Sequence, residues 1–428
     1  MMRLMGAREG QRTEPRGTGI DQAIAYPAMF LLLFEVPGFS LVPISAFLAI
    51  AMLPVLVRHA WYRSTRPLLL AAVAAVACGL LLRVIPVIPA DRLAPDITAL
   101  SIAFWIAGFP LIVALGLWGA EKIGTRQAAV LGVLGALVSA FLQVGGDLQW
   151  KGTLGIYLVL LALLLIGRRV IAAALVLIAA AAISVAEDAR SMAVVAIITL
   201  VILIILRPSA ASRAGTVRLV VVAVAVVVFF VWAMTEGWLG DELQRRTLNQ
   251  LRNPLLIVGG ARVEWAATVA LALAHPFGYG IGVIPSSREV AAGIGAVRDA
   301  GGDWTSPYFS EVVFGARVDL HSTIADLWYH AGLGGVALGM VILVLLVRGL
   351  APAVAARPVV GYAGVFAILM GVWDTLFSPM ANNDRIIIAV VLALAVRYLP
   401  TGGHDRPLDV SAELRGRSSI RSRPSSRR

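Results

Sequence analysis

The sequence predicts an all-α fold, a polytopic membrane helix bundle of about twelve transmembrane helices with one large loop on the outer face. Three observations predict it. Of 428 residues, 59% are hydrophobic and only 14% are charged, against about a quarter charged in soluble domains, and the mean hydropathy is +0.86. Apolar runs close to membrane-spanning length recur along most of the chain. The short connections between them alternate in charge, one set strongly basic and the other carrying single basic residues.

The runs place spans at 20–35, 39–57, 68–88, 97–118, 127–144, 153–167, 169–186, 190–206 and 218–236. After a long interruption three more follow, at 321–347, 358–377 and 384–399. The basic connections are "RHAWYRSTR", "EKIGTR", Arg168 with Arg169, "RPSAASRAGTVR" and "RGLAPAVAARP", whereas "ADRLAPD" and "GGDLQWKG" carry one basic residue each. Basic short loops stay in the cytoplasm. An even number of spans then leaves both ends inside, with residues 1–19 as a cytoplasmic lead lacking a small-residue cleavage pattern and 400–428 as a basic, disordered cytoplasmic tail. The tail, ending "RGRSSIRSRPSSRR", supplies much of the net charge of +11. It suits topology setting and contact with anionic membrane lipid better than nucleic-acid binding, so no nucleic-acid partner is expected. The single cysteine, Cys78, lies in a span and excludes a disulfide framework or a thiolate metal cage.

Between the nine spans of 20–236 and the three of 321–399 lies the outer loop, 237–320. A connection of roughly eighty residues is usually functional. Within it "ARVEWAATVALALAHPFGYGIG" reads as an amphipathic or re-entrant helix closed by a turn at Pro276, Gly278, Gly280 and Gly282. These glycines suit either turn geometry or a phosphate-cradling backbone, which makes Gly280 a candidate substrate contact. His275 reads as structural, and the rest of the loop is mixed and polar. "HSTIADLWYHAGLGG", 321–335, opens the tenth span. At about 100° per residue it sets His321, Ala325, Trp328, Gly332 and Gly335 on one stripe and turns Asp326 and His330 away.

Ionisable residues gather at the outer boundary: Arg190 in "EDARSMAVV", Arg262 in "GGARVEW", Arg317 and Asp319 ahead of His321, and Asp384 with Arg385 ahead of the last span. Charge at membrane depth is costly unless it is paired or functional. The forked guanidinium matches phosphate and pyrophosphate oxygens, so the set suits an anionic, lipid-linked substrate, while each arginine alone also fits interfacial anchoring. Tyr308, Trp304 and Asp303 offer a shelf on which a sugar ring can stack. Buried ionisable groups within the spans are few, Glu35, Arg83 and Asp374, which disfavours an ion-coupled secondary transporter of similar span number.

Taken in order, these motifs resemble the O-antigen ligase and O-antigen polymerase superfamily. "HSTIADLWYHAGLGG" resembles its histidine-led helix with a glycine eleven positions on; "ARVEWAATVALALAHPFGYGIG" resembles an upstream motif of arginine, tryptophan three later, proline and a G-x-G turn; and "DARSMA" resembles its Ser-Arg-Gly/Ser element. Ser322 stands where the family has asparagine and keeps a hydrogen-bonding side chain beside the histidine. His330 replaces a common glutamate and Gly334 a frequent proline. The resemblance implies a membrane glycosyltransferase in the bacterial inner membrane, with the outer loop in the periplasm. It would transfer a glycan from an undecaprenyl-pyrophosphate carrier to an acceptor hydroxyl. Carried over, Arg190 and Arg262 would hold the pyrophosphate and His321 would act at the acceptor, with Arg317 and Ser322 as further substrate contacts. Direct displacement would invert the anomeric centre.

Arginines would stand in for a metal, and no cofactor is implied; the chain contains no Asp-x-Asp string of the metal-dependent membrane glycosyltransferases. Three outcomes fit the same residues. A ligase joins finished glycan to lipid A-core, a polymerase adds repeat units to a lipid-linked chain, and a third group glycosylates protein. The absence of a large additional outer domain weighs against the third.

Overall fold

The computed structural model describes residues 19–35, 44–60, 65–85, 88–143, 150, 154–167, 169–205, 231–238, 264–302, 304–315, 318–355, 361–380 and 383–397, with further separate positions between 221 and 248. All regular structure among these residues is helical, apart from a single antiparallel bridge between Leu93 and Val283. The expected lead up to residue 18 and the expected tail fall outside the described residues, as do parts of the ninth expected span, whose described positions from 221 to 235 are helical.

The helices follow the apolar runs in order. α1 (Gly19–Phe30) continues into a 3-10 turn; α2 (Ile44–Ala51) and α3 (Leu53–Ala60) follow, then α4 (Arg66–Val84), α5 (Asp96–Ile123), α6 (Thr125–Gln143), α7 (Gly155–Ile166), α8 (Val170–Ala186) and α9 (Arg190–Ile205). The outer segment contributes α10 (Glu264–Ala274) and α11 (Ser287–Asp299), and α12 (Thr323–Ala355), α13 (Gly361–Phe377) and α14 (Asn383–Arg397) follow among the described residues. By length and composition, α4, α5, α6 and α12 are each long and apolar enough to cross a membrane. The other apolar helices are shorter.

One expected span is divided. The run at 39–57 forms α2 and α3 with a turn at Met52, because Pro54 has no amide to donate and its ring crowds the carbonyl four residues back.

α5 is buried nearly all round between Ser101 and Trp118, which makes it the central helix. α4 buries one face, Leu68, Ala72, Ala75 and Gly79, spaced by threes and fours. That face is small because α12 lies close against it: a Cβ on Gly79 would fall 2.6 Å from the His330 carbonyl, and one on Gly334 would fall 3.0 Å from Cys78 Sγ. Small residues let helices approach in this way.

The two ends of the bundle carry different networks. At one end Lys122 reaches Asp21 at 3.5 Å and His59 Nε2 lies 3.0 Å from Glu121, tying the start of α1 to the ends of α3 and α5. At the other, Arg83 at the end of α4 donates to the Ile281 carbonyl at 2.8 Å and pairs with Asp96 at the start of α5 at 3.3 Å. The amide of Ala94 donates to Gly282 and that of Ile284 to Arg92, each at 2.8 Å, so the outer segment is laced to the α4–α5 connection.

α12 is not one continuous helix. Gly332, at φ 57° and ψ −142°, breaks it, and the turn at Phe277 and Gly278 fills the break. The single stripe expected from His321 to Gly335 is therefore interrupted, and His321 itself precedes the first helical residue with φ 55°. An apolar cluster joins the outer segment to α12, in which Ala267, Leu271, Val297 and Phe309 meet Trp328 and Tyr329.

Candidate functional site

His321 is held from behind by the start of α12. Ser322 is fully buried and its hydroxyl accepts the Ala325 amide at 3.3 Å, which makes it the helix N-cap. Asp326, one turn in and 2% exposed, receives the Leu320 amide on Oδ1 and the Met380 amide on Oδ2, each at 2.7 Å. One carboxylate thus joins the residue before His321 to the segment after α13. Thr323 donates to the Ser378 carbonyl at 3.1 Å and reinforces the same junction. With both sides fixed, His321 adopts a left-handed conformation that few residues other than glycine take, and such strain collects at functional sites. Asp319 supports the turn by accepting the His321 amide at 3.1 Å.

The imidazole faces an array that begins with Tyr308. The phenol oxygen lies 2.8 Å from His321 Nδ1 and 3.1 Å from Nε2, and the rings meet edge to face at 83°. Asp319 Oδ1 is 3.3 Å from the same Nδ1. Tyr308 stands immediately ahead of a π-helical turn, Phe309–Val313, and donates its hydroxyl hydrogen to Glu264 Oε1 at 3.2 Å. Glu264 opens α10 and is 9% exposed. The His321 and Asp319 side chains remain 20% and 17% exposed. Such an array can hold the orientation of an imidazole while leaving part of its edge open to a substrate.

The remaining expected site residues fall as follows. Arg262 and Arg317 lie outside the described residues, as does Asp303. Arg190 is the first residue of α9, and its Nε pairs at 3.0 Å with Asp188, a residue at φ 52°. Among the described residues no hydrogen bond or ion pair joins Arg190 to the His321 array. Gly280 donates its amide to the Tyr329 carbonyl at 3.1 Å, and a Cβ there would fall 2.8 Å from the Arg83 amide nitrogen. Trp304 is 47% exposed, and the Tyr308 hydroxyl lies 2.8 Å from His321 Nδ1.

Two site residues escaped the sequence reading. Glu264 lies two positions after Arg262 in "GGARVEW", and its signal was a carboxylate opening an otherwise apolar helix. Asp326 was expected only to face away from the stripe; its carboxylate accepts the Leu320 and Met380 amides. Of the expected buried groups, Asp374 is 1% exposed and accepts the Ser378 hydroxyl at 2.7 Å, while Arg83 sits at the α4 terminus.

A second polar group braces the outer segment. Glu289 closes a capping box with Ser286, pairs with Arg92 at 2.9 Å and bonds His275, in accord with a structural role for that histidine. Burial works to raise the Glu289 pKa, but the Ser286 hydroxyl and amide, the His275 ring and the Arg92 charge together outweigh it. The carboxyl is held below its ordinary range. Burial, aided by the Glu289 charge, pushes the Tyr279 phenol well above its usual value. Among the described residues no three His, Cys, Asp or Glu side chains converge to hold a metal ion. No protein-family model matches the chain, and no curated protein matches it significantly in sequence.

Proposed function

We propose that the protein is a membrane glycosyltransferase of O-antigen ligase type, moving a glycan from an undecaprenyl-pyrophosphate carrier to an acceptor hydroxyl at the periplasmic face of the bacterial inner membrane. One observation carries this reading: a strained, partly exposed histidine with carboxylate and phenol partners stands at the mouth of α12, at the bundle end opposite the His59–Glu121–Lys122 network. That network lies at the basic connections, so the positive-inside bias supports an outward-facing His321 in a bundle of about twelve spans.

In this reading His321 Nε2 takes the proton of the acceptor hydroxyl as its oxygen attacks the anomeric carbon from the side opposite the pyrophosphate. The new carbon–oxygen bond forms, the bond to pyrophosphate breaks, and its electron pair leaves with the carrier, inverting the centre. Proton transfer of this kind is typically worth about 10²–10⁴-fold. Arg262 and Arg190 receive the growing negative charge, which a guanidinium fork stabilises most in the transition state. Arg317 serves the acceptor side, whereas Ser322, expected as a substrate contact, is buried and supports His321 from behind as the N-cap of α12.

The test is the surface-glycan ladder of a deletion strain carrying either the wild-type chain or His321→Ala. Core-only lipopolysaccharide with accumulated lipid-linked polymer, rescued by the wild type alone, is the expected result. Products capped at a single repeat would favour the polymerase reading. An unchanged ladder would overturn both.

A further inference from the structure

We infer that α10 lies in the membrane itself, with Val269, Leu273 and Phe277 docked among the acyl chains of the leaflet at the His321 end of the bundle, while α11 stays in water. The occupant is bilayer lipid, and nothing in the inference rests on glycan transfer. The three side chains recur at every fourth position of α10 and the turn after it, so they form one stripe, and all are exposed, Leu273 at 82%. After Glu264 the helix reads "WAATVALALA", without a charge, and its one hydroxyl, on Thr268, is buried and donates to the Glu264 carbonyl at 3.1 Å. A short apolar helix with a bare apolar face suits a re-entrant or interfacial element rather than one in water. α11 is the contrast. It opens with the Ser286–Glu289 capping box and exposes Arg288, Arg298 and Asp299.

The neighbouring helices indicate what covers the stripe. From Thr323 to Gly332 every residue of α12 except Ile324 is buried, but beyond the break at Gly332 a bare stripe begins, with Leu333, Ala337, Met340 and Val344 exposed at helical spacing. α12 is long and apolar enough to cross a membrane, and on a crossing helix such a stripe faces lipid. The α10 stripe runs into this one. A Cβ on Gly332, the residue before Leu333, would fall 2.3 Å from the Phe277 carbonyl oxygen and 2.8 Å from Leu82 of α4, and Leu81 and Ile85 beside Leu82 are bare as well. Depth agrees with continuity. Ile281 donates to the carbonyl of Gly79, which at 1.5 Å per residue lies about 7–8 Å inside the α4 terminus at Val84. The wedge after α10 therefore reaches into the span, where irregular backbone is tolerated because protein satisfies it.

The experiment uses the full-length chain carrying Cys78→Ala, in nanodiscs of phosphatidylethanolamine and phosphatidylglycerol, with a nitroxide attached at Leu273→Cys. Power saturation reads collisions with oxygen, which concentrates in lipid, and with a water-soluble nickel chelate. Met340→Cys on the bare stripe of α12 is the lipid reference and Arg298→Cys on α11 the water reference. All these positions are exposed, so the substitutions should leave the Tm unchanged. The label at Leu273 should give an oxygen-to-nickel ratio close to that at Met340 and well above that at Arg298, and a label at Val269→Cys should agree with it. A ratio at Leu273 matching that at Arg298 would place the stripe in water and overturn the inference. So would a label shielded from both reagents and dipolar-coupled to its counterpart on another copy, because a second chain would then cover the stripe. A nickel-accessible label at Met340 would overturn the membrane-crossing reading of α12, and the inference with it.

Discussion

The amide of Tyr279 donates to the carbonyl of Tyr329 at 2.8 Å, so an outer-loop residue bonds the main chain of α12 three residues before its break. Around this bond the Trp328 indole donates to the Pro276 carbonyl at 3.1 Å, and Ile281 donates to Gly79 of α4 at 3.2 Å. Irregular backbone beside membrane helices survives where protein satisfies its polar groups. The wedge from Pro276 to Ile284 fixes α10, and with it Glu264, relative to the start of α12.

Gly332→Ala tests the wedge. A Cβ there would fall 2.3 Å from the Phe277 carbonyl oxygen, at a φ of +57° that side chains resist. Strain and displacement together should cost about 2–4 kcal/mol. Thermal unfolding in detergent should show a clearly lower Tm, and an unchanged Tm would mean the turn does not sit in the break.

Asp326→Asn probes the support behind His321. Both carboxylate oxygens accept backbone amides, from Leu320 and Met380, and an asparagine must turn its NH₂ towards one of them. A donor facing a buried donor should cost about 1–3 kcal/mol. Activity should fall further than the stability loss explains, because the loop carrying His321 is released. Turnover and Tm measured on the same preparation check this.

Glu289 supplies a pH dependence. Its folded-state pKa lies below its unfolded value, so its contribution to stability is complete above the ordinary carboxylate range and is lost as pH falls through the folded value. Tm should therefore drop as pH falls below about 4. In Glu289→Gln that acid limb should be shallower and the Tm at neutral pH lower. A variant with the wild-type acid limb would show that other carboxylates govern it.

Orientation is open to chemical labelling. Arg298 and Ser310 are exposed on the outer segment. Cysteines placed there in a Cys78→Ala background should react with a membrane-impermeant thiol reagent in intact spheroplasts. Reaction only after lysis would invert the topology and remove the outer-face chemistry.

Much of the helical order was legible in the sequence, since apolar runs and basic connections are one-dimensional signals. The expected spans at 68–88, 97–118, 127–144 and 169–186 coincide closely with α4, α5, α6 and α8. Helix interruptions were harder to read: the division at Pro54 carried a visible proline, but the break at Gly332 depends on the Phe277 turn pressing against it, a contact more than fifty residues away in sequence. His321 stood out from its place before an apolar run. Glu264 and Tyr308 become its partners only when α10 and the π-helical turn pack onto the α12 terminus, and no local spacing encodes that meeting. Asp326 is instructive in another way. Helical periodicity correctly separated it from the stripe, yet the face it occupies is the one that anchors the site.

The most direct test of the account is transfer by the purified protein, supplied with an undecaprenyl-pyrophosphate-linked glycan and lipid A-core in excess chelator. The account predicts a glycosylated acceptor of inverted anomeric configuration from the wild type, lost in His321→Ala while donor binding persists. A wild type that forms no product, needs added magnesium or manganese, or loses nothing when His321 is replaced would contradict it.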